Sequence, residues 1–499
     1  MPEPRQMPCA PAPDGGLLHG VDQPLLARVK RCVEWLTADR ELRAALRQRP
    51  GQARALADAR GLPLDLGELE PLWRHGFGRP WRPQEERDWP LLGLWARWQR
   101  RLAAHRRQLR RQADPGPANP RFSAWRQRQM ARNRWELGAG ERALTYPVLA
   151  YELSRGCSRG CWFCAFDAPP LSGVFQHTFA NARLWRQVLE TGVEMLGPGA
   201  AGSGFCYWAS EPADNPGYLA FLAGYAEING SLGPTTTAAA DQDLGWTRAL
   251  LETYRHTGLP GLRFSILSLA MLRRVHQAFG PEELLLVECL PQNPESILRK
   301  SLAGRARQDA GARWNGQCAR IADELGHGQD ERPLDLEAWA GDTSACLAGF
   351  LVNMVEQSVK LVSPCRVSRR WPLGYRVHAQ GTFRDAGQYR RFITQAVERH
   401  MPPAPPMGQA LRLREGLGLK QDGDGLAISF GPRKLRLPSS SGPALGLVAG
   451  LAAQGRWTPP EIVEQALAGG AEYFSAWAAL ESLNQWGLLC DDPARPREG

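Results

Sequence analysis

Apolar positions in the first hundred residues recur with helical spacing. Leu25, Val29, Cys32, Val33 and Leu36 form one stripe. Asp39 stands where it caps a second helix carrying Leu42, Leu46 and the alanines between them, and Gly61 ends a third. From about residue 145 the pattern changes to short apolar runs separated by amphipathic stretches. "YPVLAYEL" (146–153), "GFCYWAS" (204–210), "PTTTAAA" (234–240), "LRFSILS" (262–268), "LLLVECL" (284–290) and "SVKLVSP" (358–364) read as buried strands. Six strands at βα spacing predict an α/β fold, a parallel sheet curled into a partial, TIM-like (β/α)6 barrel with its chemistry at the carboxyl ends of the strands. The Arg/Gly/Ala-rich stretch 291–345 is too weakly periodic to predict an element.

The flanks read differently. Residues 1–20 are rich in proline and glycine and predict a disordered start, followed by a helical region over 21–144 and the core over 145–400. "MPPAPPMG" (401–408) opens a proline-rich linker, 401–420, and a small unit occupies 421–492. There "LAISF" and "KLRL" flank Gly431-Pro432 as a hairpin, and a helix follows from about Pro443 to Ala453. Thr458, Pro459 and Glu461 make a capping-box helix start. A third helix carries Phe474, Trp477, Leu480 and Leu483 on one face and stops at Gly487, after which "LLC" (488–490) returns as a strand. A hairpin with three helices is a winged-helix outline.

Composition narrows the class. A chain of 499 residues with 43% hydrophobic residues predicts two or three folded domains. No apolar run reaches membrane-span length, and the polar start "MPEPRQMPCAPAPDGG" lacks a signal-peptide core, so a cytoplasmic protein without a membrane partner is expected. Eleven scattered cysteines in such a chain do not read as a disulfide framework. The net charge of +10 is concentrated: Arg97 to Arg134 holds 12 arginines and one acid, Asp114. Nucleic acid, an acidic peptide, or plain solvation of a helix face are the candidate meanings. Only 5 of the 61 basic residues are lysine, a compositional bias that weakens any argument from arginine as such.

The chemistry sits in "YELSRGCSRGCWFCAFD", where Cys157, Cys161 and Cys164 have C-x3-C-x2-C spacing. Three thiolates on one short loop hold three irons of a 4Fe-4S cluster and leave the fourth iron open. An open iron can chelate S-adenosyl-L-methionine, the cofactor of radical enzymes. Zinc is the main rival, but it wants a fourth Cys or His nearby, and His177 is the nearest histidine downstream. Phe163 precedes the third cysteine, where an aromatic ring can pack near adenine. Glu211, with the strand-end backbone at Ser210, is placed to receive the methionine ammonium, and Ser265 to contact the ribose; each has an ordinary structural role as its alternative. "YWASEP" resembles the GGE-P-like motif of radical enzymes only in part, because Ala209 and Ser210 stand where glycines are usual. Cys365 follows the last candidate strand. A thiol there is either a hydrogen-atom donor, a structural cysteine or an auxiliary-cluster ligand, and donation requires the protonated form that an apolar site favours.

Taken together, "CSRGCWFC", "YWASEPADNPGY", "RFSIL", "GFLVNMVEQSVKLVSPCRVSRRWPLGYRV" and "GTFRDAGQY" resemble the radical S-adenosylmethionine peptide epimerases that mature ribosomally made peptides of the proteusin type. The resemblance spans most of the chain, and the segment from Ser363 to Tyr375 is more specific than the cluster motif. It implies L-to-D inversion of residues in a precursor peptide, with Cys365 as hydrogen donor to the α-carbon radical. It also implies that the C-terminal unit binds the leader as an added strand, and that an external flavodoxin- or ferredoxin-like protein supplies electrons. Competing expectations are a radical peptide cross-linking enzyme, an RNA-modifying enzyme using the arginine stripe and winged helix, and a non-catalytic peptide carrier; nucleic acid is the weaker partner.

Overall fold

In the computed structural model the described residues are 16–76, 81–298, 300–308, 343–422, 425–430, 433–437 and 444–491. The expected disorder over 1–15, the Gly431-Pro432 turn, Pro443, Cys9, Cys318 and most of 291–345 lie outside them.

The N-terminal stripe folds as its spacing demands. The helix Gln23–Ala38 buries Val29, Cys32 and Leu36 completely. Asp39 accepts the Leu42 N–H at 2.9 Å and so caps the next helix, Arg40–Gln48. A third, Ala53–Asp58, ends just before the left-handed Gly61. Two long helices follow, Pro90–Gln112 and Pro120–Glu136, and they carry the arginine stripe. Part of that stripe is internal rather than solvated: Arg126, Arg128 and Arg132 are buried, and Arg126 Nε donates to the Tyr146 carbonyl at 2.9 Å.

Two sheets form the core. In one, β1 (Leu149–Glu152) pairs parallel with β7 (Gly349–Asn353), which continues antiparallel into β8 (Ser358–Pro364) and β9 (Tyr375–Thr382). In the other, β4 (Thr235–Thr237), β5 (Leu262–Ile266) and β6 (Val287–Pro291) are parallel. The predicted strand 204–210 is reduced to a parallel bridge between Ala150 and Phe205, with Tyr151 N–H donating to the Phe205 carbonyl at 2.8 Å. On its other side Gly233 lies so close that a Cβ there would come within 2.3 Å of the Gly204 carbonyl, so this segment links β1 to β4. One face of the strands, with Leu149, Tyr151, Phe264 and Val287, packs under the helices Phe179–Leu196, Tyr218–Asn229, Leu244–Arg255 and Leu269–Ala278. The opposite face gathers Ala150, Leu351, Val362, Phe205 and Trp208 in a cluster of its own.

The strand "SVKLVSP" departs from the expectation of a sixth parallel strand. Only Met354–Gln357 separate it from β7, far short of the dozen or more residues a parallel crossover needs, so it returns antiparallel. The turn is closed by Gln357 in the left-handed region, at φ +49°.

The C-terminal unit has a separate apolar core around Leu426, Ile428, Val448, Ile462, Leu480 and Leu483. Its sheet is antiparallel with three strands, β10 (Leu417–Asp422), β11 (Gly425–Phe430) and β12 (Arg433–Leu437). β10 begins within the expected linker. The helices are Ala444–Ala453, Pro459–Ala468 and Tyr473–Gln485, the second opened by the expected capping box at Thr458 and Glu461. Leu489 bridges back to Leu413 as a short strand. Phe474 is 84% exposed rather than part of the buried face. The buried face is Ala476, Ala479, Leu480 and Leu483, and a residue two positions before such a stripe points to its far side.

No helix among the described residues is long and apolar enough to cross a membrane. The N-terminal helices join the core through a buried polar clasp. Trp35 Nε1–H donates to His276 Nδ1 at 3.0 Å, and His276 Nε2 meets Glu34 Oε2 at 3.0 Å, while Lys30 pairs with the other Glu34 oxygen. Because Nδ1 accepts from the indole, the ring is neutral with its proton on Nε2, and burial holds His276 below the ordinary imidazole value. A base depressed in the folded state contributes stability above its unfolded pKa of about 6.5 that is lost as pH falls. Amide exchange in Gln23–Ala38, corrected for intrinsic rate, is therefore expected to accelerate as pH falls below about 6.5, with His276→Gln abolishing that step.

Candidate functional site

The cysteine loop leaves β1 and is closed by main-chain bonds. β2 (Ser154–Arg155) pairs with β3 (Gly173–Val174), and Cys157 N–H donates to the Pro169 carbonyl at 2.9 Å. Gly156 makes the entry turn at φ +82°, where a Cβ would meet the Pro170 oxygen at 2.3 Å, so only glycine fits. Cys157, Cys161 and Cys164 are all half-buried. Two main-chain donors point at sulfur: Arg159 N–H at Cys157 Sγ (3.4 Å) and Ala168 N–H at Cys164 Sγ (3.5 Å). Such N–H···S contacts favour thiolate ligands and tune a cluster bound to them. Burial pushes the Cys157 thiol up to about 11 and raises Cys161 as well.

The tight ligand-type group among the described residues lies elsewhere, at Glu34, His276 and Cys289, with ligand atoms within 4.8 Å of one another. Lys30 and Trp35 already occupy that carboxylate and that imidazole, which makes it the clasp described above rather than a vacant ion site. The loop cysteines are not gathered in this way. Three half-buried thiols on one loop are a donor set that can hold a 4Fe-4S cluster with three protein ligands.

Around the loop the structure assembles several of the expected residues. Ser158 N–H donates to Asp214 at 2.9 Å, tying the loop to the segment that carries Glu211. Glu211 is buried; it accepts from Thr237 Oγ1 (2.5 Å), Ala238 N–H (2.8 Å) and Ala213 N–H (3.1 Å), closing the carboxyl end of β4. Burial nonetheless raises its carboxyl above the ordinary value. Ser210 is half-buried beside it. Ser265, also half-buried, lies opposite Leu290 in the β5–β6 register. Phe163 packs edge-on against Trp162 at 5.6 Å, and the Lys300 ammonium lies 5.7 Å from the Phe163 ring. Three contributors escaped the sequence reading. Glu152, at the end of β1, accepts from Ala209 N–H at 3.0 Å and from the Asn353 amide at 3.1 Å, and burial raises its carboxyl. Its signal was an acid ending an apolar strand just before the cysteines. Asp214 and Arg305 carried no comparable signal.

Cys365 is fully buried, and its N–H donates to the Gly374 carbonyl at 2.9 Å. Because β8 is antiparallel, Cys365 does not follow the carboxyl end of a parallel strand as expected. The turn after it makes the connection: Val367 packs in one apolar cluster with Ala165, the residue after Cys164, and with Ala303. The stretch 303–308 braces both sides. Gly304 N–H donates to the Pro372 carbonyl and Arg305 N–H to the Cys164 carbonyl, each at 2.9 Å. Gly304 has φ +54°, and a Cβ there would lie 2.4 Å from the Ala165 oxygen. The Arg305 side chain donates to the carbonyls of Cys161 (3.0 Å) and Ala168 (2.6 Å) and pairs with Asp167 at 3.3 Å. Asp167 sits in the left-handed region at φ +48°, and Gln308 also holds its carboxylate, at 2.8 Å.

Comparison with known proteins agrees in extent with a full-length relationship. The chain is 36% identical over 473 residues to the uncharacterized protein y4wI of Sinorhizobium fredii, covering 94% of this chain and 88% of that one. It belongs to the family of that protein. No family model matches the chain, and no solved structure matches it.

Arg305→Met removes the charged donor from two loop carbonyls and from Asp167. A loss of about 2 kcal/mol in local stability is expected, roughly thirtyfold in opening. Amide exchange across residues 161–168 measures it.

Proposed function

We propose that the chain is a radical S-adenosylmethionine peptide epimerase, converting L to D residues in a ribosomally made precursor. One observation carries this reading: the turn after the buried Cys365 packs on the cysteine loop itself, through Val367 and Ala165. The strands β7, β1 and β4 to β6, with the 204–207 segment between, are read as the incomplete barrel of such enzymes. Cys157, Cys161 and Cys164 would hold the 4Fe-4S cluster, and Phe163, Ser210, Glu211 and Ser265 would hold S-adenosylmethionine.

When bound, these groups supply a 5′-deoxyadenosyl radical that removes a hydrogen atom from a peptide α-carbon. The chain's own task is then stereochemical. The α-carbon radical is close to planar, so the face from which hydrogen returns decides the configuration. Cys365 Sγ gives its hydrogen atom from the face opposite abstraction: an S–H bond breaks, a C–H bond forms, and a thiyl radical remains on Cys365. One electron from a flavodoxin- or ferredoxin-like donor and one proton from solvent restore the thiol. The leader is read as adding to an edge of the three-stranded sheet, β10 or β12, with the third helix lending contacts. The buried arginines of the 97–134 stripe weigh against the RNA-modifying reading, since their charge faces carbonyls and acids inside the fold.

Protein reconstituted without oxygen is expected to hold about four irons per chain and to cleave S-adenosylmethionine when reduced. Alanine at Cys157, Cys161 or Cys164 should abolish both. With the cognate precursor in deuterated water, each inverted residue gains one deuterium, because the thiol hydrogen exchanges with solvent. Cys365→Ala should still cleave the cofactor yet accumulate no D residues. Normal inversion by that variant removes Cys365 from the mechanism, and modified peptide without deuterium removes epimerisation.

A further inference from the structure

A buried ionic group outside the cysteine loop touches both neighbours of Cys365. Its centre is Glu136, the last residue of the helix Pro120–Glu136. Arg132 one turn back (2.9 Å), Arg376 of β9 (2.6 Å) and Arg414 all pair with Glu136 Oε1. Glu136 Oε2 accepts the main-chain N–H of Arg366 at 3.0 Å, and Arg376 Nη1 donates to the Pro364 carbonyl at 3.3 Å. The residues before and after Cys365 are thus both hydrogen-bonded into the same charge group.

The C-terminal unit completes that group. Arg414 also donates to the Gly487 carbonyl at 3.1 Å, and Asp491 pairs with Arg132 and accepts from Gln129 at 2.6 Å. Three guanidinium groups face two carboxylates, and the Arg132, Glu136, Arg376 and Arg414 side chains are 3–6% exposed. Removing one partner from such a group leaves an uncompensated charge, and the remaining charges rearrange to meet water or another partner. Here the Arg366 N–H and the Pro364 carbonyl are bonded into that group and would lose those partners with it.

We infer that Arg414 and Asp491 make the C-terminal unit a positioning device for Cys365, so that displacing this unit re-aims the thiol. The link itself is independent of the enzymatic reading; only its consequence for D-residue formation rests on Cys365 being the hydrogen donor.

The test uses the full chain with Arg414→Met, Arg414→Lys and Asp491→Asn. N-ethylmaleimide labelling is read at each cysteine by mass spectrometry, with the buried Cys206 as internal reference. Cys365 is expected to react about tenfold faster or more in Arg414→Met, with Cys206 unchanged. Arg414→Lys should recover most of the protection, and the milder Asp491→Asn, at the rim, should shift Cys365 about threefold in the same direction. An unchanged Cys365 rate in both Arg414→Met and Asp491→Asn overturns the inference, and so does an equal rise at Cys206, which marks general unfolding. In the peptide reaction, cofactor molecules cleaved per D residue should rise about tenfold in Arg414→Met. If Cys365 labelling rises while that ratio holds, the positioning link stands and the donor role of Cys365 falls.

Discussion

A buried carboxylate shared by three guanidinium groups is the constraint around which this molecule is arranged. Each buried ion costs several kcal/mol of lost hydration, and one acid cannot repay three arginines. The fold makes up the difference with Asp491 and with carbonyl oxygens. Arg414 reaches Gly487, Arg376 reaches Pro364, and nearby Arg128 reaches Pro402 at 2.9 Å. Those partners come from the long helix before the core, from the β8–β9 edge and from the C-terminal unit. None of these segments can shift alone without stranding a charge, so the ionic group sets how they sit together. Apolar packing across the same joint is modest by comparison; Trp135, three residues after Arg132, is the helix residue that enters the C-terminal core.

The cysteine loop obeys a different rule. It has little regular structure, so its shape is enforced by groups outside it that bond its main chain: Pro169 to Cys157, Asp214 to Ser158, and Arg305 to Cys161, Cys164 and Ala168. Bonds to main chain do not depend on the loop's side chains. That leaves Cys157, Cys161 and Cys164 available for ligation and Trp162 and Phe163 available for contact. The left-handed Asp167 is the strained end of this arrangement, held by Arg305 and Gln308. The same stretch, 303–308, holds the turn beyond Cys365. One brace thereby fixes two loops that no sheet register connects.

What was legible in the sequence follows from how local each signal is. Caps and periodic stripes were readable because a few neighbouring residues determine them: Asp39, Gly61, and Thr458 with Glu461 act as their positions suggest. The cysteine spacing and the strand before it were readable for the same reason. The direction of "SVKLVSP" was misjudged because strand GFLVN, four residues upstream, went unrecognised, and the short gap between the two decides the pairing. β10 was hidden by the proline-rich composition just ahead of it. Arg305, Asp214 and the way Arg376 and Arg414 join Glu136 were invisible because those partners lie tens to hundreds of residues away. A lone arginine or glutamate in sequence says nothing about which distant carbonyl it will find.

Arginine is the residue through which those distant contacts are made. Its five donors in a fixed plane let one side chain satisfy two or three carbonyls at once. Arg126 serves the carbonyls of Tyr146, Arg110 and Thr145, and Arg43 serves Leu36, Thr37 and Glu295. Irregular segments whose carbonyls lack a ladder partner are thereby buried without orphaned acceptors. This changes the meaning of the charge excess between Arg97 and Arg134. Arg126, Arg128 and Arg132 are inside, Arg110 is occupied by Glu141 and Leu144, and Arg100 is paired with Glu86. Arg97, Arg106, Arg107, Arg111, Arg121 and Arg134 are left on the surface. The field that such a helix pair projects outward is therefore weaker than the count of arginines suggests.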